Sequence, residues 1–273
     1  MRSKPWKNSL LCGLLALLTL GCGKGAPAPI DPNLIRVGVQ SGPEYALAEA
    51  AQAVAKAKHG LTVELVKFDD YVLPNEALRQ GDIDANVFQN QPYLDVQSQQ
   101  RGYDFVAAGK TFVYPLAGYS KKIRSLENLA EGGQIVIPND PTNSGRALLL
   151  LEKQGLIGLR EGVGLLPRPT DIVKNEKQLE ILELEAPQLP RVLDDQKVAI
   201  AVINNTFARP AGLVSTRDGL FVEGKDSPYV NLVVTRKELA ADPRIGKFVQ
   251  SYQSPEVEQV AQREFDGGAV KGW

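Results

Sequence analysis

In this 273-residue chain, the segment from Pro138 to Arg146 (PNDPTNSGR) concentrates groups able to recognise a small anion. A strand-like run ends there, a turn rich in Pro and Asn follows, and a helix is predicted to begin near Ser144. Free backbone N–H groups at a helix start attract anions. Arg146 would lie in the first turn, where the helix field disfavours a cation, so a bound anion is the expected countercharge. A guanidinium pairs in bidentate fashion with a carboxylate, the group an amino-acid ligand offers. A surface Arg paired with a nearby acid accounts for the same residue equally well.

Two amides stand against their surroundings. Asn204 follows the apolar run Val198 to Ile203, and Asn231 interrupts Val230-Asn-Leu-Val-Val. A buried Asn needs hydrogen-bond partners, which a ligand ammonium or carboxylate supplies and a neighbouring loop supplies as well. Tyr71, Phe88, Tyr93 and Tyr114 fall at turns or strand ends, where an aromatic side chain serves a pocket or ordinary packing.

Other chemistries lack their parts. His59 is the single histidine, so a Ser-His-Asp or Cys-His device would have to be built on it, at a predicted helix end. No Cys/His cluster suits zinc. Asp82-Ile-Asp84 lacks the Gly and terminal Glu of a calcium loop. Gly109-Lys-Thr111 imitates a phosphate loop, but the required earlier Gly is Asp104. A net charge of -1 and no basic stripe argue against nucleic acid. No metal, cofactor or catalytic residue is expected, and no enzyme.

These residues need a scaffold. Leu34 to Val39, Leu61 to Phe68 and Ile83 to Phe88 read as strands. Between them lie helices at Glu44 to His59, capped by Gly60, and Pro74 to Gln80, stopped by Gly81. Pro92 to Arg101 is helical. Further on, Gln134 to Pro138, Leu179 to Leu184, Val198 to Ile203 and Ser227 to Thr235 read as strands, Ser144 to Gln154 as a helix, and the tail from Lys237 as mainly helical. This rhythm predicts an α/β fold around a largely parallel sheet. The expected division is one lobe of residues 33–115 plus 227–273 and another of 116–226. Two crossings would form a hinge, and a cleft between lobes is a preferred ligand site.

The first residues are of another kind. Arg2, Lys4 and Lys7 precede the apolar run Leu10 to Leu20, too short to span a bilayer comfortably. Gly21-Cys22 directly after it resembles a bacterial lipobox, with Thr19 replacing the usual aliphatic residue. Residues 1–21 are therefore expected to be a signal peptide, Cys22 the lipidated residue, and 22–32, rich in Gly and Pro, a tether. Loss of Cys12 with the signal leaves Cys22 alone, so no internal disulfide is possible.

At many of these positions together, the chain resembles the methionine-binding lipoproteins, the receptors of bacterial methionine ABC importers. The resemblance runs through Val37-Gly-Val39 with Gly42-Pro-Glu44, Phe68-Asp-Asp-Tyr-Val-Leu-Pro-Asn-Glu-Ala-Leu78, Gly81-Asp-Ile-Asp-Ala-Asn86 and Thr111-Phe-Val-Tyr-Pro115. It continues through Pro138 to Asn143, Glu185-Ala-Pro-Gln-Leu-Pro190, Ala201-Val-Ile-Asn204, Ser227-Pro-Tyr-Val-Asn231 and the terminal Gly267 to Trp273. It implies a two-lobed type II periplasmic-binding-protein fold with a hinge and an interlobe cleft. By resemblance, Arg146 would take the ligand carboxylate, Asn143, Asn204 and Asn231 its polar groups, and Tyr71, Phe88 and Tyr93 its side chain. The family commonly has His in the Phe-Gln-His-x-Pro-Tyr segment. Here that place is Asn90, which donates and accepts but cannot be protonated. The implied function is an extracytoplasmic, lipid-anchored receptor, on the periplasmic side or the cell surface. It would hand methionine or a similar small amino acid to the permease and ATPase complex of an importer. The alternatives are another apolar amino acid or a short peptide as ligand, or an extracytoplasmic enzyme on the same fold.

Overall fold

A computed structural model describes Met1 and residues 32–273. The expected signal segment, Cys22 and the tether up to Asp31 lie outside the described residues. The principal strands, in chain order, are β1 (Leu34–Gln40), β2 (Thr62–Phe68), β3 (Ala85–Asn90), β4 (Phe105–Lys110), β5 (Ala117–Tyr119), β6 (Gln134–Pro138), β7 (Glu180–Leu184), β8 (Val198–Ile203), β9 (Gly219–Val222) and β10 (Asn231–Arg236). They build two five-stranded sheets, in the orders β2-β1-β3-β10-β4 and β7-β6-β8-β5-β9. The architecture is two-lobed α/β.

Each sheet is largely parallel, as the strand-helix rhythm suggested, with one strand reversed. β1 runs parallel to β2 and β3, but β10 is antiparallel to β3 and β4. In the second sheet β6 is parallel to β7 and β8, whereas β5 is antiparallel to β8 and β9. The reason is topological. A parallel neighbour needs a crossover, usually a helix, to carry the chain back to the starting end. β5 and β10 are the first strands after the chain passes from one sheet to the other. They follow extended segments and enter from the opposite end.

Six longer helices cover the sheets: α1 (Pro43–His59), α2 (Leu73–Gln80), α3 (Gln91–Arg101), α4 (Pro141–Lys153), α5 (Pro243–Tyr252) and α6 (Pro255–Glu264). Each has Pro in its first turn, where the missing N–H is not needed. α1 buries Leu47, Ala48, Ala51, Val54 and Ala55 at helical spacing and packs against α5 and α6. It ends where Gly60, at φ 62°, returns N–H bonds to the last turn. This layer and the inner face of β1 form the first core, with Ile35, Val37, Phe248 and Tyr252. The second core sets Leu148, Leu150 and Leu151 of α4 against Ile135, Ile137, Ile200 and Phe221.

α4 begins earlier than the sequence suggested, at Pro141, because Asp140 caps it by accepting from Asn143 N at 2.9 Å. Arg146 therefore sits in the second turn, where the terminal field has largely faded.

In β5, a Cβ on Gly118 would lie 2.1 Å from Cζ of Phe221. Gly118→Ala must displace that ring from the second core. The expected loss is ~1–3 kcal/mol of unfolding free energy, the usual cost of overpacking, read from urea melts. A change below about 0.5 kcal/mol would show that Phe221 moves aside freely.

Candidate functional site

The strands β1, β2, β3, β6 and β8 point their carboxyl ends toward the space between the sheets, the usual place for ligands in open α/β folds. A chamber of about 380 Å³ lies there, lined by Tyr71, Phe88, Gln89, Asn90, Tyr93, Tyr114, Asn143, Arg146, Asn204, Asn205, Thr206 and Asn231. All eight residues singled out from sequence as ligand-binding are among them.

One end is aromatic. Tyr71 stacks on Phe88 at 5.9 Å between centroids and meets Tyr93 edge-on at 6.2 Å. Phe88 and Tyr93 are 5.7 Å apart, nearly perpendicular. The Tyr93 hydroxyl donates to the main-chain Tyr71 O at 2.7 Å, which fixes the Tyr93 ring against the segment that carries Tyr71. Phe207, from the other sheet's side, closes on Tyr71 at 5.0 Å. Burial pushes the Tyr71 and Tyr93 hydroxyls well up from their usual range, so both stay neutral donors. Asn90 is the cap of α3: its side-chain oxygen accepts from Tyr93 N at 3.0 Å. The capping Asn thus fixes the start of the helix that carries Tyr93.

The other end is polar. Arg146, only 5% exposed, donates through Nε to Glu223 Oε1 at 2.9 Å and through Nη2 to Tyr114 O at 3.0 Å and to Glu223 Oε2. The Tyr229 ring lies beneath it, 4.5 Å from Cζ. Nη1 has no hydrogen-bond partner among the described residues. The countercharge expected from a bound anion is thus supplied in part by Glu223, and the argument from the helix field gives way to a buried ion pair. Asn204 Nδ2 donates to Asn143 Oδ1 at 2.9 Å, and Asn231 Nδ2 to Phe88 O at 3.1 Å. Among the described residues, Asn204 Oδ1 and both polar atoms of the Asn205 amide are buried without partners. Unmet hydrogen-bonding groups on a chamber wall are what a polar ligand completes.

Sequence reasoning missed Asn205, Thr206, Gln89, Phe207 and Glu223. Asn205 and Thr206 continue the polar run after β8 and were findable from that break in pattern. Gln89 joins a closed amide network under the floor with Asn75 and Asn86. Glu223 lies 77 residues from Arg146 in the chain, and nothing local marks it. Among the described residues no group of three or more His, Cys, Asp or Glu could hold a metal ion, and no helix is long and apolar enough to cross a membrane.

A family model described as NlpA lipoprotein matches residues 35–273. The chain is 62% identical over 263 residues to a Salmonella typhimurium protein named D-methionine-binding lipoprotein MetQ, covering 96% of this chain and 95% of that one. It is similar to the crystal structure of the methionine binding protein MetQ, with a TM-score of 0.88 and 62% identity over 89% of this chain and 99% of that chain. A nutrient binding protein from Burkholderia cenocepacia, solved bound to methionine, matches with a TM-score of 0.85 and 47% identity, covering 88% and 100%.

Behind the chamber, Glu44 in the first turn of α1 is 2% exposed. It accepts from the Thr206 hydroxyl through Oε1, and Oε2 has no partner among the described residues. Burial raises its carboxyl from 4.5 to about 7, against the lowering pull of Thr206. Between these two values the folded protein holds a proton that the unfolded chain has released. Stability therefore falls as pH rises through that window. Glu44→Gln should flatten this slope and exceed the parent in stability above pH ~7, by on the order of 2–3 kcal/mol. Superimposable pH profiles of thermal melting for parent and variant would rule out a buried, proton-binding Glu44.

Proposed function

The chain belongs to the NlpA lipoprotein family, and from that premise we propose that it is an extracytoplasmic receptor that captures methionine and delivers it to an ABC importer. It carries out no reaction of its own. The observation that carries this reading is the division of one small chamber into an aromatic end and a polar end around a single cation. Arg146 Nη1, beside the amides of Asn143, Asn204 and Asn231, meets the charged main-chain groups of an amino acid. Tyr71, Phe88 and Tyr93 enclose a flexible thioether, which gains from sulfur–aromatic contact. Asn90, spent on capping α3, shapes the slot through Tyr93. Closing of the lobes on the ligand presents the surface that the permease and ATPase complex reads. Cys22 carries the lipid anchor, and 22–32 is the tether that holds the receptor at the membrane.

The test is competitive binding on protein unfolded, stripped and refolded. Methionine, in both enantiomers, should beat norleucine by only about twofold to tenfold, since sulfur–aromatic contacts are worth ~0.3–1.5 kcal/mol. Alanine should bind poorly, and glutamate and lysine not at all, because the slot offers their charged ends no partner. Arg146→Ala alone would strand the part-buried Glu223 carboxylate and cost stability. The clean variant is Arg146→Met with Glu223→Gln, which should lose roughly thirty- to several-thousandfold in methionine affinity. Tight glutamate or lysine binding, or a double variant within fivefold of the parent, defeats the reading. For the anchor, Cys22→Ala should move the protein from the membrane to the soluble fraction. A free Cys22 thiol in mass spectra of membrane-extracted protein would refute lipidation.

A further inference from the structure

Three polar side chains run in series from the cap of α4 into the chamber. Asp140 sits at the cap and accepts from Asn143 N at 2.9 Å. Asn143 Nδ2 lies 3.1 Å from Asp140 Oδ1 and 2.9 Å from Oδ2. Asn143 Oδ1 in turn accepts from Asn204 Nδ2 at 2.9 Å. Asn204 Oδ1 ends the series, buried and without a partner among the described residues, on a residue that lines the chamber. Asn143 and Asn204 are 3% and 7% exposed, so water does not compete freely for their amides.

A side-chain amide is a donor at one end and an acceptor at the other, and either end fits the same space. An ionised carboxylate only accepts. Burial raises the Asp140 carboxyl against the lowering pull of Asn143, and both its oxygens accept from Asn143, which turns the NH2 of Asn143 toward it and leaves the oxygen facing Asn204. That oxygen then forces the NH2 of Asn204 inward to meet it. The chamber is left facing an acceptor.

We propose that Asp140 is a positioning residue for recognition: through Asn143 it orients Asn204 so that Oδ1 points into the chamber as an acceptor for the ligand's α-ammonium group. The inference rests on the amino-acid receptor reading and adds how the amino group is told from a hydroxyl. An ammonium has three donors and no acceptor, so it requires an oxygen there. A hydroxyl in the same place tolerates a donor or an acceptor.

Asp140→Asn tests the relay with the helix cap kept, because Asn caps as well as Asp. Its oxygen serves Asn143 N, and its NH2 meets the old Asn143 NH2 donor. Turning Asn143 over relieves that donor–donor clash, Asn204 follows, and a donor replaces the acceptor at the wall. The double variant Asp140→Asn with Asn204→Asp runs the series in reverse. Asn143 then donates to the new carboxylate, whose second oxygen faces the chamber.

The probes are methionine and its α-hydroxy analogue, 2-hydroxy-4-(methylthio)butanoate, titrated calorimetrically into the stripped full chain, with thermal melting as a check on folding. The parent should favour methionine by roughly ten- to a hundredfold, the worth of a charge-assisted hydrogen bond. In Asp140→Asn that preference should collapse to within about threefold of equality, mainly by loss of methionine affinity. In the double variant it should return. A single variant that keeps the parental preference overturns the relay. So does a folded double variant that fails to restore it, since a merely structural Asp140 predicts no rescue. A parent that binds methionine with no preference over the hydroxy analogue overturns the ammonium assignment. A parent that binds neither compound defeats the receptor reading itself, a different failure from the first three.

Discussion

Everything at the polar end of the cleft depends on keeping one guanidinium charged where there is almost no water. An isolated ion taken out of water costs several kcal/mol even after relaxation. Arg146 is kept there by three groups: the Glu223 carboxylate, Tyr114 O and the face of Tyr229. Tyr114 lies on the segment where the chain leaves the first sheet for the second. Glu223 and Tyr229 lie on the segment where it returns. The charge that the site needs is therefore compensated by both crossings, and Glu223 also accepts from Leu116 N at 3.3 Å. Any shift of the crossings alters the surroundings of Arg146, and any carboxylate arriving at Nη1 acts on the same ion pair. Site and hinge share one electrostatic element.

The second economy is that helix starts double as site walls. Asn90 caps α3 and Asp140 caps α4, and each fixes a chamber residue three positions on, Tyr93 or Asn143. A cap contributes about 1 kcal/mol to its helix. That is enough to hold the backbone, so the neighbouring side chain enters the chamber already oriented. Asn90 and Asn231 are also direct partners across β3 and β10, which ties the aromatic wall to the strand that returns from the other lobe. Preorganisation of this kind lowers the ordering cost of binding.

Much of this was legible in the sequence, and the misses have physical causes. β6 and β8 were read to the residue, because continuous apolar runs ending at Pro or Asn have few other interpretations. β4 was not, since Phe105-Val-Ala-Ala-Gly-Lys110 lacks strand formers in its second half, and Gly109 is there because a Cβ would strike Val249 at 2.4 Å. β5 has three residues and no local signature. The start of α4 was placed three residues late by weighting Ser144 above the Asp140-Pro141 pair, although a Pro in the first turn after an Asp is the stronger start signal. That displacement put Arg146 in the wrong turn and credited the helix field with an effect that belongs to Glu223. The site residues were selected partly from local oddity, such as Asn after an apolar run, and partly from resemblance. What neither could supply is pairing at long range: Arg146 with Glu223, Glu44 with Thr206, Tyr71 with Phe207.

Pairing of Arg146 with Glu223 changes how selectivity must arise. With the carboxylate beside it, the polar end carries little net charge, so a simple attraction of opposite charges cannot dominate. At 4 Å and an effective dielectric of 20, one unit pair is worth about 4 kcal/mol, and Glu223 opposes a large part of what Arg146 would offer an incoming carboxylate. Discrimination at that end must therefore come from direction: which atoms donate and which accept. On the proposed reading, the partnerless atoms of Asn204 and Asn205 would supply it, since a wrongly placed group leaves them unmet in a dry chamber, at ~1–3 kcal/mol each. By the same reasoning, rejection of charged side chains cannot be assigned to repulsion from Arg146. It falls to the aromatic end, where Tyr71, Phe88 and Tyr93 fill the wall with rings and the Tyr93 hydroxyl is already committed to Tyr71 O. On the proposed reading the two ends thus divide the labour: hydrogen-bond direction would read the main-chain groups of the ligand, and desolvation its side chain.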